Sequence, residues 1–414
     1  MKKFFKFIRW FYPGLRIKRW VIVLVIGLLL LLGSSSSSKD ILLWKIVNTF
    51  IFILGAGALI TGTAFLIKSF IEVIYPHKEK GLIDIIYEKR FLAKGPKIVA
   101  IGGGTGLSTI LEGLKSYTSN ISAIVAVADE GGSSGRIREE FGILPPGDIR
   151  NCLVSLSDSP QLMRDLFQYR FKEGGGMKGH SFGNLFITAL TEVTGSFKDA
   201  VEESSKVLAI RGRVIPSSLD EIRLKAEYRD GTTQDGEDKI PDVAKPIKKI
   251  FLMPSDAQPN PEALDAIREA EMIVFGPGSL FTSIIPNLLI KEISDEIVKR
   301  DVLKVYICNV MTQHGETDGF TSADHLSMFM EHVDKGVVNC CLVNSGGLKH
   351  KLLFKYAQEG SFPVIFDRER LKRMGVTVFD GDVVSKSNYL RHDSEKVGKK
   401  IVNIYNEWKK TWKE

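Results

Sequence analysis

The stretch KIVAIGGGTGLSTILEGLKSY, residues 97–117, indicates the fold of most of the chain. A short apolar run enters a glycine-rich turn and continues into a segment whose apolar residues have helical spacing. Glycines let the backbone approach a phosphate closely, and the first turn of a helix favours negative charge. The turn lacks the Gly-Lys-Ser/Thr of a P-loop, which argues against a Walker-type kinase. We therefore predict an anion-binding turn between a buried strand and a helix.

Similar apolar runs recur further along the chain, and helix-like segments separate most of them. The runs are ISAIVAVAD, MIVFGPGS, KVYICNV, NCCLVNSGG, FPVIF and VTVFD. This alternation predicts a Rossmann-like, doubly wound α/β domain with a mainly parallel sheet over residues 96–414. Residues 217–250 interrupt it with turn signals and alternating polarity, which predicts a β-hairpin insertion. Asn260 and Pro261 are suited to the start of the helix that follows.

The N-terminal residues predict a transmembrane helical hairpin. Residues 1–19 carry seven Lys or Arg and no acid, and apolar segments follow at 20–33 and 46–67. About 20 apolar residues span a bilayer, a length that the first segment reaches only with its serines. That segment could instead be the apolar region of a signal peptide. Basic residues flank both segments on the same side, so we predict a multi-pass cell-membrane protein whose two ends are cytoplasmic. The hairpin would occupy residues 1–75 and a juxtamembrane linker residues 76–95.

Charge and cysteine content exclude other classes. The net charge is +7, but residues 1–94 alone carry +10, which leaves −3 for residues 95–414. A mildly acidic main domain argues against a nucleic-acid partner. The four cysteines lack metal-ligand spacing, so we expect no metal site made by Cys and His and a reducing compartment. The adjacent Cys340 and Cys341 are expected in the core.

A second glycine-rich loop follows the next predicted strand, in VADEGGSSGR at residues 127–136. Asp129 lies 23 residues after Gly106, close to the spacing of a ribose-binding acid, which leaves an NAD(P)-dependent dehydrogenase as one alternative. Leu107 stands where the G-x-G-x-x-G motif of a dinucleotide-binding loop has its third glycine, and this weakens the dehydrogenase alternative. The loop itself adds amide and hydroxyl donors, and Arg136 could bind an anion bidentately or pair with Glu139 or Glu140. Two adjacent anion loops predict a ligand with a diphosphate and a further polar group.

Four later motifs supply further polar residues, the last two of them at strand ends. They are PPGDIRN, GHSFGNL, GPGSLFTS and CNVMTQHGETDGF. His180 of the second motif could be a general base or a structural residue. Ligands bind at the carboxyl ends of strands in open α/β sheets. We therefore predict a nucleotide-binding set that consists of Gly103, Gly104, Thr105, Gly106, Asp129, Gly132, Ser133, Ser134, Arg136, Asn184, Gly278, Ser279, Asn309 and Thr312.

The motifs, in this order, resemble the gluconeogenesis factor family of YvcK-type proteins, relatives of the 2-phospho-L-lactate transferase CofD. The resemblance covers roughly residues 96–405 and does not include the membrane hairpin. It implies binding of UDP-N-acetylglucosamine and regulation of carbon flow toward cell-wall precursors and of cell shape. It also implies ligand contacts from Tyr356 and Arg391 and, in a transferase, metal and phosphate chemistry near Asp129 and Asp148.

Two functions follow from the resemblance. One is a membrane-anchored regulator that binds UDP-N-acetylglucosamine without turnover, needs no cofactor, and acts on cell-wall precursor or cell-shape proteins. The alternative is a CofD-like phosphotransferase that moves a 2-phospholactyl-type group from a nucleotide donor and requires Mg²⁺, with Asp129 and Asp148 as candidate catalytic residues. The sequence leaves open the partner protein, a homo-oligomer and cleavage of the first apolar segment.

Overall fold

The computed structural model describes residues 17–35, 42–74, 90–333, 336–385 and 389–411. The chain divides into two compact units, Met1–Ile86 and Tyr87–Glu414. Three predicted features lie wholly or partly outside the described residues: most of the basic N-terminus, the turn between the apolar segments, and residues 76–89 of the linker.

The N-terminal unit contains two helices, α1 (Ile17–Ser35) and α2 (Leu42–Ile74). They pack closely, because a Cβ on Gly27 would lie 2.9 Å from the carbonyl oxygen of Gly55. The rings of Trp20 and Phe65 stack with centroids 4.2 Å apart. Among the described residues, one stretch, Leu42–Ser69, is long and apolar enough to cross a membrane, whereas Arg19–Ser34 is a shorter apolar helix. A hairpin of two spanning helices therefore stays a prediction.

The C-terminal unit is built on a parallel sheet, as predicted. The strands are β1 Ile98–Gly102, β2 Ile121–Val125, β3 Arg213–Pro216, β4 Arg223–Tyr228, β5 Thr233–Asp235, β6 Ile247–Met253, β7 Met272–Phe275, β8 Leu303–Ile307, β9 Cys340–Asn344 and β10 Thr377–Gly381. Seven of them form one sheet in the order β10-β9-β8-β7-β1-β2-β3. All neighbouring strands in it are parallel. The chain order reverses between β1 and β7, which makes the carboxyl ends of these strands the topological switch point.

Helices connect the strands and cover the sheet. They are α3 Gly104–Leu114, α4 Gly132–Phe141, α5 Gly147–Leu156, α6 Gln161–Gln168, α7 Phe182–Thr194, α8 Phe197–Val207, α9 Pro261–Glu269, α10 Ile285–Leu288, α11 Lys291–Lys299, α12 Ser322–His332, α13 His350–Gln358, α14 Arg368–Arg373 and α15 Ser394–Thr411. β1 and β2 are buried along their full length, which explains their continuous apolar sequence. Cys340 and Cys341 are buried in β9, as predicted. Asn260 caps α9 by accepting a hydrogen bond from the backbone of Glu262 at 3.1 Å.

The insertion between β3 and β7 is larger than the predicted hairpin. It forms a second, antiparallel sheet in the order β5-β4-β6, in which β4 pairs with both neighbours. The predicted strand FPVIF, in contrast, was wrong. Pro363 forms only an isolated bridge with Met311, since proline has no N–H to continue a ladder.

Candidate functional site

Two glycine-rich turns touch at the switch point of the sheet. The turn after β1 leads into α3, and a Cβ on Gly106 would overlap the carbonyl oxygen of Pro277 in the turn after β7. Glycine is therefore required for this approach. A groove of about 230 Å³ lies beside the two turns. Arg391, expected from the family resemblance, lines it together with five members of the predicted nucleotide-binding set: Thr105, Gly106, Gly278, Ser279 and Asn309.

Asn309, at the end of β8, supports the β7 turn. Its side-chain Nδ2 donates to the carbonyl oxygen of Gly278 at 2.7 Å, and its Oδ1 accepts from the backbone N–H of Gly278 at 3.2 Å. Both polar atoms of the amide are thus engaged with the backbone of the turn. In this structure Asn309 therefore holds the glycine turn after β7 in place.

The second glycine loop rests on the GHSFGNL motif. The Ser133 hydroxyl lies 3.1 Å from Nδ1 of His180 and accepts a hydrogen bond from Nδ2 of Asn184, also at 3.1 Å. All three side chains are buried, and Ser134 beside them is buried too. Burial, reinforced by the nearby Arg136, lowers the pKa of His180. Within this structure the network supports the loop, and ligand contacts of Ser133, Ser134 and Asn184 stay predictions.

Arg136 lies at the exposed start of α4, close to Gly132. Its Nη2 donates to the carbonyl oxygen of Lys178 at 3.1 Å, and its Nε donates to that of Gly132 at 3.4 Å. The guanidinium therefore bonds to backbone carbonyls rather than to Glu139 or Glu140, the surface pairing that was the alternative. Arg136 connects the second glycine loop to the segment before α7.

Asp148, at the start of α5, lies directly against the first glycine turn. A Cβ on Gly103 would lie 2.5 Å from Oδ2 of Asp148, and a Cβ on Gly147 would lie 2.9 Å from Oδ2 of Asp129. The two candidate catalytic acids are therefore neighbours. Burial, and then the charge of Asp129, raises the pKa of Asp148 to about 7, although a bond from the backbone N–H of Gly104 opposes this. Asp148 as a whole residue is half-buried.

Two further acids join this site, and only one lies in a motif noted in the sequence. Glu316, in CNVMTQHGETDGF, is 3% exposed and accepts hydrogen bonds from the Ser279 hydroxyl and from Nε2 of Gln313. Burial raises its pKa to about 7. Glu237 comes from the antiparallel insertion, where its side chain bonds to Thr282. Burial, followed by the charge of Asp129, raises the pKa of Glu237 to about 8.

The position of Glu237 depends on Glu130, the residue after Asp129. Oε2 of Glu130 accepts a hydrogen bond from the backbone N–H of Glu237 at 3.0 Å. Oε1 of Glu130 pairs with Arg138 at 3.7 Å and with Arg223 of the insertion at 3.4 Å. No local pattern could have placed Glu237 here, because its approach depends on how the insertion folds back. Among the described residues no three His, Cys, Asp or Glu side chains are close enough together to hold a metal ion.

The remaining predicted residues lie behind the groove or at its border. Thr312 is buried and accepts a hydrogen bond from the backbone N–H of Phe362 at 2.9 Å. The Tyr356 hydroxyl accepts from the backbone N–H of Leu390 at 3.3 Å, which joins α13 to the segment that carries Arg391. The Arg391 guanidinium lies 4.9 Å from the centre of the Tyr389 ring. Arg391 is thus the predicted cation at the groove, and Tyr356 supports its segment.

Known proteins with similar sequences share this domain. The family model for the 2-phospho-L-lactate transferase CofD matches residues 98–384. A gluconeogenesis factor of Bacillus subtilis is 49% identical over 76% of this chain and 100% of its own length. A protein of Clostridium acetobutylicum, provisionally named gluconeogenesis factor, is 45% identical over 96% of this chain and 91% of its own.

A solved structure agrees with the fold of the C-terminal unit. The crystal structure of a UPF0052 family protein from Bacillus halodurans is 48% identical, with a TM-score of 0.73, and covers 75% of this chain and 99% of its own. That share corresponds in size to the C-terminal unit, so a relative without the N-terminal helices folds by itself. The six motifs and these matches agree, and the chain therefore belongs to the CofD-related family of gluconeogenesis factors.

Proposed function

We propose that this protein is a membrane-anchored regulator that binds UDP-N-acetylglucosamine and adjusts carbon flow toward cell-wall precursors and cell shape. The main support is the contact between the β1 and β7 glycine turns, beside a groove that also contains Arg391. Backbone N–H groups at a helix start and a guanidinium are suited to a diphosphate. The regulator would act on proteins of cell-wall synthesis or cell shape.

The acids on the other side of the β1 turn suit the uncharged part of such a ligand. Carboxyl groups accept hydrogen bonds from hydroxyl and amide N–H groups, which a sugar offers and a phosphate does not. Asp129, Asp148 and Glu237 would therefore lie toward the sugar, and the glycine turns would bind the diphosphate. This arrangement accounts for two regions of opposite character within one site.

The membrane anchor is supported by α2. Apolar side chains such as Phe50, Ile53 and Ile60 are exposed on this helix, whereas a core helix of a soluble protein would bury them. A bilayer would cover this surface. The basic residues before α1 favour a cytoplasmic N-terminus, and a hairpin would return the chain to the same side.

Calorimetric titration of residues 87–414 with UDP-N-acetylglucosamine tests the ligand. We expect saturable binding, no product, and a loss of affinity of about tenfold to a hundredfold in Arg391→Ala, since hydrogen bonds to charged groups contribute about 1.5–3 kcal/mol. Arg229→Ala, in a turn of the antiparallel insertion, is the matched control and should bind normally. Absence of heat with the wild-type protein would count strongly against the proposed ligand.

One observation favours the transferase alternative. Asp129 and Asp148 lie side by side at the first glycine turn, and Mg²⁺ needs only one or two carboxylates when substrate phosphates supply further ligands. These two acids would hold the ion, which would neutralise phosphate charge when bound. The alternative expects Mg²⁺-dependent release of a nucleoside monophosphate that Asp129→Asn abolishes. If nucleotide donors that carry a phospholactyl-type group yield no product with acceptors, the regulator remains.

A further inference from the structure

Helix α13 presents an unusual surface for a helix of a soluble domain. Each of its nine residues remains at least partly exposed, and Phe354 is 71% exposed. The segment after it exposes Phe362 and Ile365, at 53% and 67%. Tyr389, 51% exposed, lies beside the helix, with its ring centre 5.9 Å from Nζ of Lys355. Large apolar side chains are therefore concentrated along this helix and its neighbouring segments.

The same region is basic within an acidic domain. Residues 349–373 contain seven Lys or Arg and three acids, a net charge of +4, whereas residues 95–414 as a whole carry −3. Part of this charge is paired inside the unit, as between Arg370 and Asp324 at 2.7 Å. Lys351 and Lys355 are exposed on α13 itself, next to Phe354. Basic and aromatic residues thus occur together on one short amphipathic helix.

We propose that α13 and its neighbouring segments bind the surface of an anionic membrane. Lys351, Phe354 and Lys355 are exposed on α13, whereas Leu352 and Leu353 are partly buried, so basic and aromatic side chains face solvent together. This combination is suited to the boundary between headgroups and acyl chains. Anionic lipids attract such basic residues. A second copy of the chain is a poorer match, because the cores of protein interfaces are depleted in Lys.

The anchor proposed above would hold the protein at a membrane. The α13 surface belongs to the C-terminal unit and is independent of that anchor. Tyr356 of α13 accepts a hydrogen bond from Leu390, next to Arg391 at the groove. The membrane surface and the candidate ligand groove would therefore border the same helix. A test on residues 87–414, which lack α1 and α2, separates this binding from insertion of the anchor.

The test is flotation of residues 87–414 with phosphatidylcholine vesicles, with and without phosphatidylglycerol. We expect the unit to float with the anionic vesicles only, and to be released at about 1 M salt, where charges are screened beyond about 3 Å. The double variant Lys351→Glu with Lys355→Glu should bind at least about 25-fold more weakly, at about fivefold per basic residue. Phe354→Ser should weaken binding as well.

Matched variants keep the test specific. Lys291→Glu with Lys299→Glu makes the same charge change on α11, and Leu162→Ser removes a side chain that is 81% exposed on α6. Both should float like wild type, and thermal unfolding checks that every variant is folded. Equal loss in the α11 and α13 variants, or no flotation of wild type, would overturn the proposal. So would a dimer, seen by sedimentation, that Phe354→Ser dissociates without any effect on lipid binding.

Calorimetry on the same variants separates this proposal from the proposed ligand. A wild-type unit that floats with anionic vesicles but does not bind UDP-N-acetylglucosamine would retain the membrane surface and exclude the ligand. A unit that binds UDP-N-acetylglucosamine but never floats would retain the ligand and exclude the membrane surface.

Discussion

Replacing Asp148 with Asn should stabilise the C-terminal unit, and the gain should grow as the pH rises. Burial and the neighbouring Asp129 raise the pKa of Asp148 from 3.8 to about 7 in the folded protein. Between these values the folded protein binds more protons than the unfolded chain, so the free energy of unfolding falls as the pH rises. Asn does not titrate and keeps an oxygen that can accept from the backbone N–H of Gly104. The free energy of unfolding of the variant therefore does not fall in this way as the pH rises.

The magnitude follows from the separation of the two pKa values. About three units at roughly 1.4 kcal/mol each give an upper bound of about 4 kcal/mol, reached above about pH 8. At about pH 4.5 the same relation gives a gain in the free energy of unfolding of only about 1 kcal/mol. Because Asp148 is a half-buried residue and solvent screens part of the shift, we expect a gain of about 2–3 kcal/mol at the higher pH.

Urea unfolding of residues 87–414 at the two pH values measures this difference. Asp238→Asn, at an exposed acid next to Glu237, is the control and should change the free energy of unfolding little at either pH. If Asp148→Asn lowered stability equally at both pH values, the carboxylate would be a stabilising group and the reasoning would be wrong. A gain in stability with a loss of ligand binding would mark Asp148 as a functional acid retained at a cost to folding.

Three further changes test the supports of the site and of the anchor. Gly106→Ala should destabilise the C-terminal unit by several kcal/mol, measured by thermal unfolding, because its Cβ would overlap a carbonyl oxygen of the β7 turn. Glu130→Gln should cost about 3 kcal/mol and speed proteolysis of the insertion, since it leaves the buried Arg138 with a weaker partner. Gly27→Leu should separate α1 from α2 where Gly55 approaches it, reducing cross-linking between cysteines introduced into the two helices.

Each change has a control of the same chemistry. Gly347→Ala and Gly57→Leu add side chains where nothing lies within 4 Å of the new Cβ, and both should be tolerated. Glu203→Gln removes an exposed partner of Lys206 and should have little effect. If a control were as damaging as its counterpart, the contact assigned to that counterpart would not be the cause.

The parallel sheet could be predicted because its signals are local. Strands covered by helices on both faces consist of continuous apolar residues, and the glycines at their ends must lie next to them in sequence. FPVIF shows the limit of this signal. Its composition is that of a strand, but Pro363 allows only one bridge to Met311, and the position of the segment depends on contacts far along the chain.

The glycine turns of the site were predicted for the same reason, whereas its supports were not. Glu237 reaches Thr282 only because the insertion folds back and Glu130 accepts its backbone N–H. The burial of Ser133 depends in turn on His180, 47 positions along the chain. Such contacts are set by tertiary packing, which leaves no mark in the spacing of neighbouring residues.

The division of the site into an amide-rich part and an acidic part constrains its ligand. In the proposed function the glycine turns and Arg391 would bind a diphosphate, whereas ionised carboxylates nearby would repel it. Because burial raises the pKa values of Asp148, Glu237 and Glu316 to about 7 or 8, these groups are partly protonated at neutral pH, and the repulsion is reduced. A protonated carboxyl group can also donate a hydrogen bond to a hydroxyl or amide oxygen. A diphosphate joined to an uncharged, hydroxyl-rich group fits both parts, whereas a ligand that placed phosphates at both would meet the acids with like charge.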